Sequence, residues 1–313
     1  MSHRTALITR AAQLYYRQEL NQAEIAQVLG VSRTTVSRLL SDARARRIVT
    51  IDIAQPVELN SELSKELRIG LGLRDALVVV SGLDDEMAME MVGRAGAQLL
   101  ESVVADGDTI AISWGRTLGR LADALSQDDD LDVEVVQMIG SLGEGDPTVD
   151  GPELARRFAE RLGGGYRYVH APAVVNTAEL RAELAAQPQI KETLGKVEDA
   201  SICITSVGSM LDPDSSLQRN GYLTEEERSD YVTRGAVGHL LAKIIDVDGN
   251  EFPDYNDRVL AVSLDQLVGR PWSICLGTGR AKAAAVLGAT RAGYANAVVV
   301  DEDAATAIVE LMG

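Results

Sequence analysis

The sequence predicts a chain in two parts. Residues 1–55 form a small helical head with a short strand as its wing, and residues 56–313 form an α/β body with a mostly parallel sheet in three layers. Three observations carry this. Two short helical patterns, parted by a tight turn, lie between Asn21 and Arg38. From residue 75 onward, short apolar runs rich in β-branched residues alternate with helical patterns, as in a parallel sheet covered on both faces. The charge divides in the same region. Eight arginines stand against Glu19, Glu24 and Asp42 in residues 1–50, giving +5, whereas the whole chain carries −17, so residues 51–313 carry −22. A basic head on an acidic body suits a protein that meets a polyanion at one end only.

In the head, residues 4–18 read as a first helix with Leu7, Ile8, Ala11, Ala12, Leu14 and Tyr15 on its apolar stripe. At least one of Tyr15 and Tyr16 is expected to pack inward. Asn21 and Glu24 form a capping box for the next helix, which ends at Gly30, and Ser32 caps the one after. In that third helix Val36, Leu39, Leu40 and Ala43 recur at i, i+3, i+4, i+7 and face inward. The opposite face carries Thr34, Arg38 and Ser41, with Thr35 and Ser37 on its shoulders and no carboxylate before Asp42. Arginine pairs with guanine, and hydroxyls bond bases or phosphates. This is a winged helix-turn-helix, whose reading helix offers Arg33, Thr34, Thr35, Ser37 and Arg38 to the major groove while Gln22 and Ser32 hold phosphates. Residues 48–53 alternate as the strand of the wing, and Gln55-Pro56 marks the linker. An oligomer then presents two reading helices to a pseudo-palindromic double-stranded site.

In the body, residues 57–69 are amphipathic and either pack on the large domain or pair with a second copy. Strands are expected at Ala76–Val80, Thr109–Ser113, Val133–Ile139, Tyr166–Ala171, Ser201–Val207, Trp272–Leu276 and Ala297–Val300. Helices are expected over 87–104, 117–126, 152–162, 178–186, 224–246, 279–292 and 302–312, with an acidic loop at 127–130. Cys203 and Cys275 each lie in an apolar run, as buried free thiols of a reducing, cytoplasmic environment do. No apolar run approaches the roughly 20 residues of a membrane span, and no signal-peptide core follows Met1. No metal or cofactor is expected.

Ligands of such sheets bind beyond the carboxyl ends of the strands. Four post-strand loops there have suitable chemistry. Gly115, Arg116 and Thr117 combine amides at a helix start with a cation and a hydroxyl, which is an anion seat. Gly140 and Ser141 follow a strand that ends in the polar Gln137, whose partner is either a sugar hydroxyl or a neighbouring backbone group. Ser206 and Gly208 make a third small, hydroxylated loop. Gly277 and Gly279, with Lys282 in the first helical turn, make a fourth, suited to a phosphate. The fourth also has half of a dinucleotide fingerprint, with Asp301 about twenty residues on, but Lys282 stands where the third glycine belongs. An enzymatic reading, as a sugar-phosphate isomerase or deaminase, needs a general base near these loops, and only Asp246, Asp248 and His239 qualify.

Taken together, the stretch YYRQELNQAEIAQVLGVSRTTVSRLLSDARARRIVTIDI, ISWGRTL, VVQMIGSL, RGAVGHLLAKIIDVDGNE and LGTGRAKAAAVLGATRAGYANAVVVDEDAATAIVEL resemble the SorC/DeoR-type transcriptional regulators of bacterial carbohydrate metabolism, over essentially the whole chain. The resemblance implies a body folded like ribose-phosphate isomerase and glucosamine-phosphate deaminase but without catalytic residues. It implies a phosphorylated sugar effector bound among the four loops, repression of a catabolic operon, and assembly as a homodimer or homotetramer. A nucleotide or free polyol is the alternative effector. One departure stands out: the family commonly carries Gly-Asp where this chain has Gly238-His239, and histidine cannot serve sugar hydroxyls as that carboxylate does, so either the effector differs or His239 meets a phosphate or a neighbouring acid.

Overall fold

A computed structural model describes residues 3–18, 20–46, 48–49, 57–80, 84–127, 131–143, 146–211 and 215–313. These fall into two compact units that part at residue 56. Most of the wing strand, the Gln55-Pro56 linker and most of the acidic loop at 127–130 lie outside the described residues; Ile48 and Val49, the first two residues of that strand, form a bend.

The first unit comprises α1 (His3–Tyr16), α2 (Gln22–Leu29) and α3 (Arg33–Ala45). The caps act as their chemistry requires. Asn21 accepts from the Ala23 and Glu24 amides while Glu24 reaches back to the Asn21 amide at 2.8 Å. Gly30 takes φ 64°, a left-handed turn that a residue with a Cβ adopts only at a cost, and so ends α2. Ser32 caps α3 through the Thr35 amide. The core is Ile8, Ala11, Ala12 and Leu14 of α1 against Ile25 and the expected Val36, Leu39, Leu40 and Ala43. Tyr15 and Tyr16 are not in it. Both are 38% exposed and stack edge-to-face on each other at 4.9 Å at the end of α1.

The second unit runs α4 (Ser61–Gly70), β1 (Asp75–Val79), α5 (Asp85–Val103), β2 (Thr109–Ile112), α6 (Arg116–Ala124), β3 (Glu134–Gln137), α7 (Gly151–Leu162), β4 (Gly165–Arg167), α8 (Ala178–Ala185) and α9 (Pro188–Lys196). It continues with β5 (Ile202–Ser209), α10 (Ser216–Arg219), α11 (Glu225–Thr233), β6 (Ala236–Leu240), β7 (Lys243–Asp246), α12 (Pro253–Asn256), β8 (Trp272–Gly277), α13 (Ala283–Arg291), β9 (Ala297–Asp301) and α14 (Glu302–Met312). Seven strands pair in parallel in the order β1-β9-β8-β5-β2-β3-β4. The continuous runs Ile110–Ile112 and Val298–Val300 are fully buried, as strands covered on both faces must be. Helix α4 packs on the body: Leu67 is buried, the Ser64 hydroxyl accepts from the Val78 amide, and Asn60 donates to Glu302 at 2.7 Å.

The expected helix over 224–246 is corrected. Only Glu225–Thr233 is helical, and β6 and β7 follow as an antiparallel hairpin paired to the end of β5. Gly235 at φ 101° stops the helix, and Leu241 and Ala242 make the hairpin turn at φ 50° and 58°. A two-residue turn of this hand ordinarily draws Asn or Gly. These two side chains are instead held by burial, at 3% and 1% exposed. The pattern read as one helix over 279–292 is a single tight turn at Arg280–Lys282 followed by α13.

Candidate functional site

On the first unit, α3 presents Arg33, Thr34, Ser37, Arg38 and Ser41 to solvent, with Thr35 half-buried. Val36, Leu39 and Leu40 anchor the opposite side, so the outward face follows from the helical period. Ser32 is exposed, with its hydroxyl 2.9 Å from that of Thr34 and 2.8 Å from that of Thr35. Gln22 opens α2 and is half-buried. Asp42, the nearest carboxylate on α3, pairs with Arg4 at 3.1 Å, which tempers its repulsion of an approaching polyanion.

On the second unit, strand order reverses between β5 and β2: the chain leaves β2 outward through β3 and β4 and returns to the other side with β5. A crevice is expected at the carboxyl end of such a switch, and a cavity of about 420 Å³ lies there. Ser113, Trp114, Gly115, Arg116 and Thr117, after β2, form one wall. Ser206, Gly208 and Ser209 at the end of β5 form the floor with His239 of β6. Ser215, Ser216, Arg219 and Asn220 close the far side, and Lys282 enters from the loop after β8. Helix α6 begins at Arg116 with Gly115 as an N-cap that lends no side-chain oxygen, so the amides of its first turn are left for a ligand or water.

The electrostatics favour an anion. Among the described residues, neither the half-buried Lys282 ammonium nor the exposed Arg116 guanidinium has a hydrogen-bond or carboxylate partner. Burial, reinforced by the charges of Arg116 and Arg219, lowers the Lys282 pKa from its ordinary value. His239 is 3% exposed, with Nε2 3.3 Å from the Ser216 hydroxyl. Burial first, and then the positive charges of Lys282 and Arg219, push its pKa down to about 3, so the ring is neutral. It has room only because residue 208 is glycine: a Cβ built there falls within 2.8 Å of three ring atoms.

Seven of the twelve residues expected to meet a ligand line this cavity: Gly115, Arg116, Thr117, Ser206, Gly208, His239 and Lys282. Five do not. Gln137 is fully buried, and its Oε1 accepts from the Val169 amide at 3.0 Å, so its partner is backbone. Gly140 packs against the Pro172 carbonyl, and Ser141 pairs through its main chain with Ala171 and Ala173. Their neighbours Leu142 and Gly143 reach the cavity instead. Gly277 ends β8 inside the core, and the Gly279 amide points to Asp301, 3.0 Å from each carboxylate oxygen. Asp301 is therefore an internal anchor, 2% exposed, that also caps α14 through the Ala304 amide. Of the candidate bases, Asp246 closes the turn at Asp248–Asn250 and Asp248 pairs with Arg291; neither lines the cavity. Sequence reasoning missed Ser215, Ser216, Arg219 and Asn220, which lie around a four-residue helix with no motif to announce it. It also missed Asp146 and Asp150 on the wall nearest α7. Among the described residues no cluster of His, Cys, Asp and Glu could hold a metal, and no helix is long and apolar enough to cross a membrane.

The family described as "Putative sugar-binding domain" matches residues 55–310, and sigma-70 region 4 matches residues 12–46. The deoxyribonucleoside regulator of Bacillus subtilis is 32% identical over 97% of this chain and 97% of its own. The sorbitol operon regulator of Klebsiella pneumoniae is 29% identical over 96% of each. The crystal structure of that full-length regulator, SorC, superposes with a TM-score of 0.74 over 100% of this chain and 99% of the other.

Proposed function

We propose that this chain, which belongs to the SorC/DeoR family of transcriptional regulators with a sugar-binding domain, represses a carbohydrate catabolic operon under the control of a phosphorylated sugar. It is a regulator and not an enzyme, as its relatives are. In this reading residues 1–55 bind DNA and residues 56–313 bind the effector and oligomerise. Arg33, Thr34, Thr35, Ser37 and Arg38 read the major groove while Gln22 and Ser32 hold phosphates. A homodimer or homotetramer matches two reading helices to a pseudo-palindromic operator.

The observation that carries the effector is the pair of unpartnered cations, Arg116 and Lys282, beside the uncapped start of α6. A phosphate dianion satisfies both and the free amides together. The hydroxyls of Ser206, Ser209 and Ser216, with neutral His239, suit the sugar. A dinucleotide is disfavoured, because the acid that would hold its ribose, Asp301, is occupied by the Gly279 amide of its own loop. The effector acts by shifting the population of DNA-binding states, to the extent that it binds them unequally. Thermal unfolding against a panel of pentose and hexose phosphates tests this. One member should raise the melting temperature of the wild-type chain, and Lys282→Ala should abolish that rise. A rise that survives the substitution moves the phosphate elsewhere.

A further inference from the structure

One link from the cavity to the start of the body runs through a buried carboxylate. Lys282 enters the cavity on a tight loop, and the amide that turns this loop, Gly279, is held by both oxygens of Asp301 at 3.0 Å. Asp301 also accepts from the Ala304 amide at 3.0 Å, and it is buried. Burial raises its pKa, and the Gly279 and Ala304 amides oppose that rise. It is also the last residue of β9 and the N-cap of α14. The next residue, Glu302, accepts from the Asn60 side chain at 2.7 Å, 242 positions away in sequence. Asn60 in turn caps α4 through the Leu63 amide and donates its own amide to Val78 of β1. Helix α4 is the first element after residue 56, where the two units part. A second tie, between Arg280 and Glu310, fixes the same loop to the far end of α14.

We infer that Asp301 is a positioning residue, and that the Asn60–Glu302 hydrogen bond carries the state of the effector cavity to α4 and hence to the linker. The inference rests on the proposed effector site. Its physical content is the loop that Lys282 and Asp301 share. Asp301 holds the Gly279 amide, and Lys282, three residues on, lines the cavity; a phosphate that draws on the ammonium therefore pulls on the Gly277–Lys282 loop, and the loop and the α14 cap adjust together because they share one carboxylate. A ligand moves DNA affinity only by as much as it favours one of these arrangements, and a shared cap hydrogen-bonded to Asn60 through Glu302, on a helix that also packs against α4, is a physical route for that preference.

The test uses the full-length chain and a DNA fragment that it selects from a random-sequence pool. The probe is whichever of ribose 5-phosphate, deoxyribose 5-phosphate, fructose 6-phosphate and sorbitol 6-phosphate raises the melting temperature most, with inorganic phosphate as control. Asn60→Asp keeps the oxygen that caps α4 but sets a carboxylate against Glu302. Glu302→Gln alone keeps the acceptor, and the double variant restores a donor on the other side of the bond. Asn60→Asp should keep the thermal response to the probe while the probe-induced change in DNA affinity shrinks by about 2- to 30-fold, the range that loss of one link takes from a coupling. The double variant should regain that change, which a merely destabilised α4 would not do. A wild-type response that Asn60→Asp retains in full overturns the coupling alone. Absence of any thermal or DNA response in the wild-type chain overturns the effector reading and the coupling with it.

Discussion

Gly208→Ala probes the floor of the cavity by adding one methyl group. That methyl falls within 2.8 Å of the Nε2, Cε1 and Cδ2 atoms of His239, a ring that is 3% exposed. The backbone has little freedom to retreat, since Gly208 pairs with His239 across β5 and β6, and neighbouring Gly238 already lies so close to the Gly208 carbonyl that a Cβ there would be 2.5 Å from it. The ring must therefore turn toward the cavity and give up its 3.3 Å contact with Ser216. Overpacking of this kind costs about 1–3 kcal/mol, which for a body of this size lowers the melting temperature by about 2–12 °C. The displaced imidazole also occupies part of the 420 Å³ cavity, so if the proposed effector binds there the thermal response to the probe should fall. Denaturant and thermal unfolding of Gly208→Ala, His239→Ala and the double variant measure both effects. The double variant should be more stable than the sum of the single losses implies by about 1 kcal/mol or more, because the two residues touch. Strict additivity, or an unchanged melting temperature for Gly208→Ala, refutes the packing argument.

Arg38→Ala should weaken operator binding by about 1–3 kcal/mol and relax preference at one base position, read by mobility shift on a mutated operator series; unchanged affinity and preference remove Arg38 from the reading face. Effector affinity should rise as the sugar phosphate loses its second proton near pH 6 and decline at alkaline pH sooner than an ordinary lysine would allow, since burial has lowered the Lys282 pKa; calorimetric titration across pH reads this, and a flat alkaline limb excludes Lys282. His239, with its pKa near 3 when folded and the ordinary 6.5 when unfolded, binds more protons in the unfolded chain between those values. Stability should thus fall as pH drops through that window, by up to about 1.4 kcal/mol per unit, and His239→Asn should flatten the dependence in acid unfolding curves.

The parallel sheet was legible because its inner strands are buried on both faces and so must be continuous apolar runs; all seven expected strands overlap observed ones, the exposed edge strand β4 only at Tyr166 and Arg167. The β6–β7 hairpin was not. Its turn is Leu241-Ala242, two good helix formers, and what holds them at positive φ is burial against the rest of the body, which no local pattern encodes. Among the described residues of the head the three helices and their apolar core were legible, since caps and the 3.6-residue period are local properties. The exposed Tyr15–Tyr16 pair was the exception.

For the cavity, position after a strand was a sound guide to Arg116, Thr117, Ser206 and Lys282, since parallel topology sends all those loops to one end. It was a poor guide to satisfaction. Gln137, for which a sugar hydroxyl and a backbone partner were both open, accepts through Oε1 from the Val169 amide, and Gly279, expected to meet a ligand, gives its amide to Asp301. The Asp301 case shows why. A glycine turn after one strand and an acid at the end of the next are brought together by the β8–α13–β9 crossover whether or not a dinucleotide lies between them. When the loop is tight enough for the glycine amide to reach the acid directly, the acid anchors the loop and the lysine on it, instead of a ribose. The same residue spacing then serves positioning, and the side chain that the loop projects into the cavity is Lys282.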